Sequence, residues 1–171
     1  MKVLVIGSGA REHSLVWKLA QDAGTTVIAA PGNGGIATLV PTFPVDVESP
    51  SAIVELAKRE AVDFVVVGPE APLVAGVVDA LREAGIEAFG PSRGGAQLEG
   101  SKAFAKRIMD AAGVPTGRAT RATTRDEVEA ALDAYGAPYV VKADGLAAGK
   151  GVVVTTDRTA AIAHADTYLP V

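Results

Sequence analysis

Lys142 closes a short β-branched run, Tyr139–Val141, and Lys150 stands among Gly145, Gly149 and Gly151 just before a second run, Val152–Val154. Glycines leave backbone N–H groups free to turn toward an anion, and each lysine adds a point charge. That spacing suits a flexible hairpin lying over a polyphosphate. It is not a Walker A loop. Three residues separate Gly145 from Gly149 where four are required, Gly151 replaces the Ser or Thr that holds magnesium, and a strand follows instead of a helix.

A second group of small residues sits near the start. Gly7-Ser8-Gly9 lies between a buried strand pattern, Val3–Ile6, and a helical one, and Arg11 and His13 follow it. A helix N-terminus in that position offers free N–H groups to a phosphate. The dinucleotide fingerprint wants a third small residue where Glu12 stands, and an acid ending the second strand where Ala29-Ala30-Pro31 stands. Arg11 and His13 therefore suit a phosphorylated small molecule better, with a NAD-binding Rossmann module as the alternative. Pro31-Gly32-Asn33-Gly34-Gly35 and Gly68-Pro69-Glu70 each follow the carboxyl end of a strand of the same sheet, the edge where open α/β sheets bind ligands. Three turns there, carrying Arg11, Asn33 and Glu70, converge on one crevice. Lys102 is open to two readings, a solvated helix charge or a ligand contact. His164 reads as a surface residue, Asp126, Glu127 and Glu129 read as a solvated helix face, and no carboxylate cluster is spaced to hold magnesium.

The elements that must position these residues alternate. Val3–Ile6, Thr25–Ala30, Phe64–Val67 and Ile86–Phe89 read as strands. Between them lie helical patterns at Leu15, Val16 and Leu19, at Ile53, Leu56 and Ala57 (capped by Ser49 or Ser51), and at Leu73, Val77, Val78 and Leu81. The alternation predicts a doubly wound parallel sheet over roughly the first 90 residues. Gly90–Gly95 is a break, and a basic helix with Lys102, Lys106 and Arg107 follows, ended by Gly113-Val114-Pro115. Next come a strand near Arg118–Arg121, a helix from Thr124, the lysine–glycine hairpin and a last helix with Ile162, Ala165 and Leu169. Three strands and two helices make a unit that looks unfinished. The expected division is a substrate-binding α/β domain over 1–100, a linker helix over 101–115, and part of a lid domain over 116–171.

Composition narrows the class. With 49% hydrophobic and 21% charged residues, the 171-residue chain is a soluble globular protein. A net charge of −4 argues against a nucleic-acid partner, so any polyanion is held by local positive charge. No apolar run is long enough to span a membrane, and the absence of cysteine excludes disulfides and thiol catalysis. A cytoplasmic protein is the expectation.

Taken together, Val3–His13, Pro31–Gly35, Val67–Leu73, Gly100–Phe104 and Lys142–Gly151 resemble the phosphoribosylamine–glycine ligases (glycinamide ribonucleotide synthetases) of the ATP-grasp superfamily, over essentially the whole chain. The resemblance implies a Rossmann-like pre-ATP-grasp sheet, a linker helix and an incomplete α+β ATP-grasp lid. It implies ATP-dependent ligation of glycine to 5-phosphoribosylamine through a glycyl phosphate, with Mg2+, in purine biosynthesis. Another ATP-grasp carboxylate–amine ligase is the nearest alternative. It further implies that Lys102, Lys142, Gly145, Gly149, Lys150 and Gly151 meet ATP as a lid. Gly7, Gly9, Arg11, Glu12, Gly32, Asn33, Gly35, Pro69 and Glu70 would hold the phosphoribosyl substrate. Family members are longer, and their later part carries the adenine-pocket and magnesium residues. This chain is thus expected to be a front fragment, inactive alone, with catalytic residues unassigned and no metal ligands of its own.

Overall fold

The computed structural model describes residues 1–147 and 151–169. The chain forms two compact units, Met1–Gln97 and a second from Leu98 onward.

In the first unit β1 (Lys2–Gly7) is apolar from Val3 to Ile6, as a strand covered on both faces must be. It is followed by α1 (Ala10–Leu19), β2 (Thr26–Pro31) and a single 3-10 turn at Ile36–Thr38. α2 (Pro50–Arg59) starts where Ser49 Oγ accepts from Ala52 N–H at 3.4 Å, with proline in the first turn where its missing donor costs nothing. Then come β3 (Phe64–Val67), α3 (Glu70–Ala75), α4 (Val77–Glu83) and β4 (Glu87–Phe89). The strands are all parallel in the order β2-β1-β3-β4, so the chain reverses direction across β1. Alternate side chains sort to opposite faces. Leu4, Ile6, Ile28, Val65 and Val67 pack on α2 and α4, while Val3, Val5, Val27 and Val66 pack with Val16 of α1 and with Ile36. Each fully buried aliphatic residue here contributes about 1.5–3 kcal/mol by leaving water, and this double-sided core holds the turns at the strand ends in place.

Two expectations fail in this part of the chain. The helix read through Leu73–Leu81 is two helices, because the chain passes through the left-handed region at Gly76 (φ 94°). The break read at Gly90–Gly95 gives way to α5 (Arg93–Gly100), whose start is fixed by Arg93 N–H donating to Asp79 Oδ2 at 2.6 Å. Buried Ala96 and that capping bond offset the poor helix propensity of Gly94 and Gly95.

The second unit contains α6 (Lys102–Ala111), α7 (Arg125–Tyr135), β5 (Tyr139–Lys142), β6 (Val152–Thr155) and α8 (Arg158–Asp166). β5 and β6 pair antiparallel, Val140 opposite Val154 and Lys142 opposite Val152. Tyr139 and Val141 pack against Val128, Leu132, Ile162 and Ala165 of α7 and α8. The strand expected near Arg118–Arg121 is absent, and the described residues of this unit hold two strands, not three. A strand needs a ladder partner, and this segment is engaged through side chains instead. Lys106 Nζ donates to Thr116 Oγ1 at 2.6 Å and to the Gly117 carbonyl, Arg118 stacks on Tyr135 at 5.0 Å, and the Thr120 and Tyr135 hydroxyls pair at 2.9 Å. Glu127 is more than a solvated charge, since it accepts from Thr123 and Thr124 N–H at the start of α7. His164, expected at the surface, is half-buried against the Tyr168 ring. Among the described residues no helix is long and apolar enough to cross a membrane.

Candidate functional site

In the first unit the three glycine turns are joined by direct hydrogen bonds. Gly32 N–H donates to the Gly7 carbonyl at 3.2 Å, and Asn33 Nδ2 donates to the Ser8 carbonyl at 2.8 Å. Asn33 Oδ1 accepts from Ile36 N–H at 2.9 Å, and Gly68 N–H donates to the Ile6 carbonyl at 3.1 Å. Gly35 packs against His13, and Pro69 is the residue from which α3 departs. Gly7, Gly9, Arg11, Glu12, Gly32, Asn33, Gly35, Pro69 and Glu70 thus share one rim, at the point where strand order reverses between β1 and β3.

The center of that rim is Glu12, the one charged residue buried in the described structure (3% exposed). Its Oε2 accepts from Gly9 N–H at 2.7 Å, the carboxylate half of a capping box, and its Oε1 accepts from Arg11 Nε at 3.1 Å. Gly68 is a glycine because a Cβ there would stand 2.6 Å from Glu12 Cγ. The close approach that the sequence suggested for a ligand is made, at Gly9 and Gly68, by an internal side chain. The same carboxylate holds the N–H that a dinucleotide pyrophosphate would need. Arg11 reaches past Glu12 to Glu70 Oε1 at 3.3 and 3.4 Å. Glu12 first and Glu70 second raise the Arg11 pKa further above its ordinary value. Glu70 is held below the usual carboxylate range by its own backbone N–H and then by Arg11.

In the second unit α6 begins at Ser101, whose Oγ accepts from Phe104 N–H at 3.1 Å. The hairpin loop brings Asp144 onto the same helix end. Its Oδ1 accepts from Lys102 N–H at 2.6 Å, Ala103 N–H at 3.3 Å and Gly145 N–H at 3.1 Å, and its Oδ2 accepts from Ser101 Oγ at 3.0 Å. Lys102 Nζ then donates to the Gly145 carbonyl at 2.8 Å. Partial burial pushes the Asp144 carboxyl up, but the bonds from Ala103, Ser101, Lys102 and Gly145 outweigh it and its pKa lies below the ordinary value. Sequence reasoning missed Asp144, whose partners lie about forty positions earlier in the chain. The Gly145 N–H, read as free for an anion, is spent on Asp144. Gly151 closes the hairpin by accepting from Ala143 N–H at 2.7 Å, while Gly149 and Lys150 lie outside the described residues.

Lys142 is exposed on β5 and makes no hydrogen bond or ion pair among the described residues. On its face of the two-stranded sheet stand Val140, Val152 and Val154, exposed by 54%, 42% and 67%. An exposed apolar surface with one cation at its edge has the chemistry to take a planar base and its phosphates. Among the described residues no group of three His, Asp or Glu side chains is placed to hold a metal ion. A recess of about 380 Å³ between α6, residues 116–119 and Tyr135 contains none of the expected site residues.

A parallel sheet of order 2-1-3-4 with turns meeting at its reversal point, and a lysine-bearing antiparallel hairpin, place the chain in the ATP-grasp class by its family and structural matches. The solved structure of phosphoribosylamine–glycine ligase from Thermotoga maritima superposes with a TM-score of 0.76 at 32% identity, over 95% of this chain and 38% of that one. N5-carboxyaminoimidazole ribonucleotide synthetase from Thermus thermophilus shares the fold at 15% identity and a TM-score of 0.73, over 97% of this chain and 44% of that one. Family models for the phosphoribosylglycinamide synthetase N domain and ATP-grasp (A) domain match residues 1–99 and 100–170. The chain belongs to the phosphoribosylglycinamide synthetase family. It is 62% identical over 171 residues to the phosphoribosylamine–glycine ligase of Leifsonia xyli, covering 99% of this chain and 41% of that protein. With the Streptomyces coelicolor ligase it shares 61% over 167 residues, 97% of this chain and 40% of that protein. The chain spans about two-fifths of the length of the curated relatives it matches.

Proposed function

We propose that this chain supplies the phosphoribosylamine-binding rim and the nucleotide flap of an ATP-dependent carbon–nitrogen ligase that joins glycine to 5-phosphoribosylamine. A glycine carboxylate oxygen attacks the γ-phosphorus of ATP and ADP leaves. The amine of phosphoribosylamine then attacks the acyl carbon, phosphate departs, and the amine loses a proton to give glycinamide ribonucleotide. Neither step needs covalent help from the protein, so the work is positioning, charge neutralization and exclusion of water.

Lys142 and Lys102 neutralize ATP phosphates, Val140, Val152 and Val154 carry the base, and the segment from Gly145 to Gly151 covers the nucleotide. Gly7, Gly9, Arg11, Glu12, Gly32, Asn33, Gly35, Pro69 and Glu70 form the phosphoribosyl rim. Magnesium, where the reaction uses it, is held by residues beyond this chain. The reaction belongs to purine biosynthesis and to the cytoplasm, where ATP is made and spent. The observation that carries the reading is the Lys102–Asp144–Gly145 junction, which ties the loop of the lysine hairpin to the helix bearing the second lysine.

Product analysis with ATP, glycine and phosphoribosylamine tests it, run on this chain and on a version extended to the length of its relatives. Glycinamide ribonucleotide is expected from the extended protein and not from the 171 residues alone. An extended protein that consumes ATP without forming that amide refutes it.

A further inference from the structure

We infer that Glu12 is a built-in anion that closes the N-terminus of α1 to phosphate, so that the rim of the first unit takes the hydroxyl- or amine-bearing part of a pentose. The inference rests on the reading of that rim as the phosphoribosyl site and says which part of the substrate it meets. Both Glu12 oxygens are used internally, on Gly9 N–H and on Arg11 Nε. An anion already placed at the helix end satisfies the dipole that would otherwise attract a phosphate. The space around it is filled as well. A Cβ added at Gly7 would stand 2.6 Å from Glu12 Cγ and 2.9 Å from Pro69 Cδ, and one at Gly9 would stand 2.7 Å from Glu12 Oε2.

The charge count points the same way. Arg11 is the one cation of the cluster, and it faces two carboxylates, Glu12 and Glu70. The rim is therefore net negative, which disfavors a phosphate dianion and favors O–H and N–H donors. Glu70 is the acceptor presented to them. Its side chain is 44% exposed, whereas Glu12 is 4% exposed and fully engaged. Asn33 is held by Ser8 and Ile36 at the edge of the same turn, with a second amide N–H to offer. Arg11 acts here as a strut between two acids.

The test follows backbone amide shifts of the 171-residue chain during titration with inorganic phosphate, D-ribose and ribose 5-phosphate, for the unaltered sequence and for Glu12→Gln. In the unaltered chain, ribose and ribose 5-phosphate are expected to move Gly9, Asn33 and Glu70, and phosphate at equal concentration is expected to leave them unmoved. Glu12→Gln keeps an acceptor for Gly9 N–H and removes one charge a few ångströms from the helix end, so phosphate affinity there rises by about tenfold or more. A purely structural Glu12 would lower stability without any gain of phosphate binding. Should Glu12→Gln fail to fold, Glu70→Gln removes the other, exposed carboxylate charge, and it is expected to weaken ribose and strengthen phosphate. Phosphate shifts at Gly9 and Arg11 in the unaltered chain as large as those from ribose 5-phosphate overturn the inference, and so does a variant that gains no phosphate. If no sugar binds the unaltered chain yet Glu12→Gln gains phosphate, the closure of α1 stands and the reading of the rim as a substrate site falls.

Discussion

Replacing Asp144 with alanine removes the acceptor that meets Lys102, Ala103 and Gly145 N–H and the Ser101 hydroxyl. Losing a side-chain acceptor at a helix N-terminus costs about 1 kcal/mol. Losing the carboxylate charge beside the positive helix end costs about a further 0.3–1 kcal/mol, toward the low end because the group is substantially exposed. Ser101 still caps Phe104 N–H, so a second cap is not lost and the sum stays at about 1–2 kcal/mol. In native-state hydrogen exchange that is a loss of protection of about 5–30-fold in the α6 amides. Amides of β1 and β3, in the other unit, serve as the unchanged control. Asp144→Asn keeps an uncharged acceptor and loses only the electrostatic part, so its effect is the smaller. The sign with pH follows from the depressed folded-state pKa of Asp144. The contribution is complete above the unfolded value of about 3.9 and disappears as pH falls through the folded value. Asp144→Ala therefore flattens that part of the acid response of α6. Unchanged α6 protection in Asp144→Ala, or an Asn variant as costly as the Ala variant, refutes the assignment.

Lys142→Met in a protein extended to the length of its relatives is expected to weaken ATP binding by about 10–100-fold, the worth of one charged hydrogen bond to phosphate. Thermal stability should change by less than about 0.5 kcal/mol because the side chain is exposed; nucleotide titration and calorimetry check the two parts. Gly68→Ala drives a Cβ to 2.6 Å from Glu12 Cγ and should cost about 1–3 kcal/mol by overpacking. Gly34→Ala, with nothing within 4 Å, should cost little. Denaturant unfolding followed through the single tryptophan, Trp17 of the first unit, reads both. Arg11→Met removes one of the two groups that depress Glu70, so the Glu70 pKa rises but stays below its ordinary value because its own backbone N–H remains. Glu70 contributes above the unfolded carboxylate pKa and loses that contribution as pH falls through its folded value, so the variant narrows this acid window. Carbon-detected titration of the Glu70 carboxyl gives the result directly.

The elements legible in the sequence are those whose reason is local. β1 and β3 are unbroken apolar runs because both faces of a parallel strand are covered, and Ser49 and Thr124 announce their helices by capping chemistry within three residues. Elements that depend on distant partners were not legible. α5 forms across Gly94 and Gly95 because Asp79, on another helix, anchors its first turn. The 118–121 segment reads as a strand, yet Arg118 and Thr120 are held by Tyr135 instead of a ladder. The site divides along the same line. Its glycine turns were visible as composition; of the two carboxylates that organize them, the family resemblance names Glu12, but as a substrate contact, and does not name Asp144. Glu12 looks like an ordinary first-turn acid, although its spacing from Gly9 is that of a capping box and was the signal available. Asp144 had none, because its donors on α6 become neighbors only once the chain is folded.

These two carboxylates change where positive charge for an anion must come from. A glycine or serine turn leading into a helix ordinarily offers the dipole and the free N–H groups together. Here α1 is met by Glu12 from its own first turn and α6 by Asp144 from the hairpin loop. Both helix ends are thus largely neutralized from within the chain, and under the proposed function the positive charge for phosphate comes from ammonium groups on flexible stems. In the second unit Lys102 spends one ammonium N–H on the Gly145 carbonyl and keeps two, and Lys142 keeps all three among the described residues. An ammonium on a four-carbon stem can follow a phosphate that moves, whereas a helix end cannot. If the chain serves the ligase reaction proposed above, in which ATP is first held and its γ-phosphoryl then passes to a carboxylate, such movable charges suit it better than fixed helix dipoles.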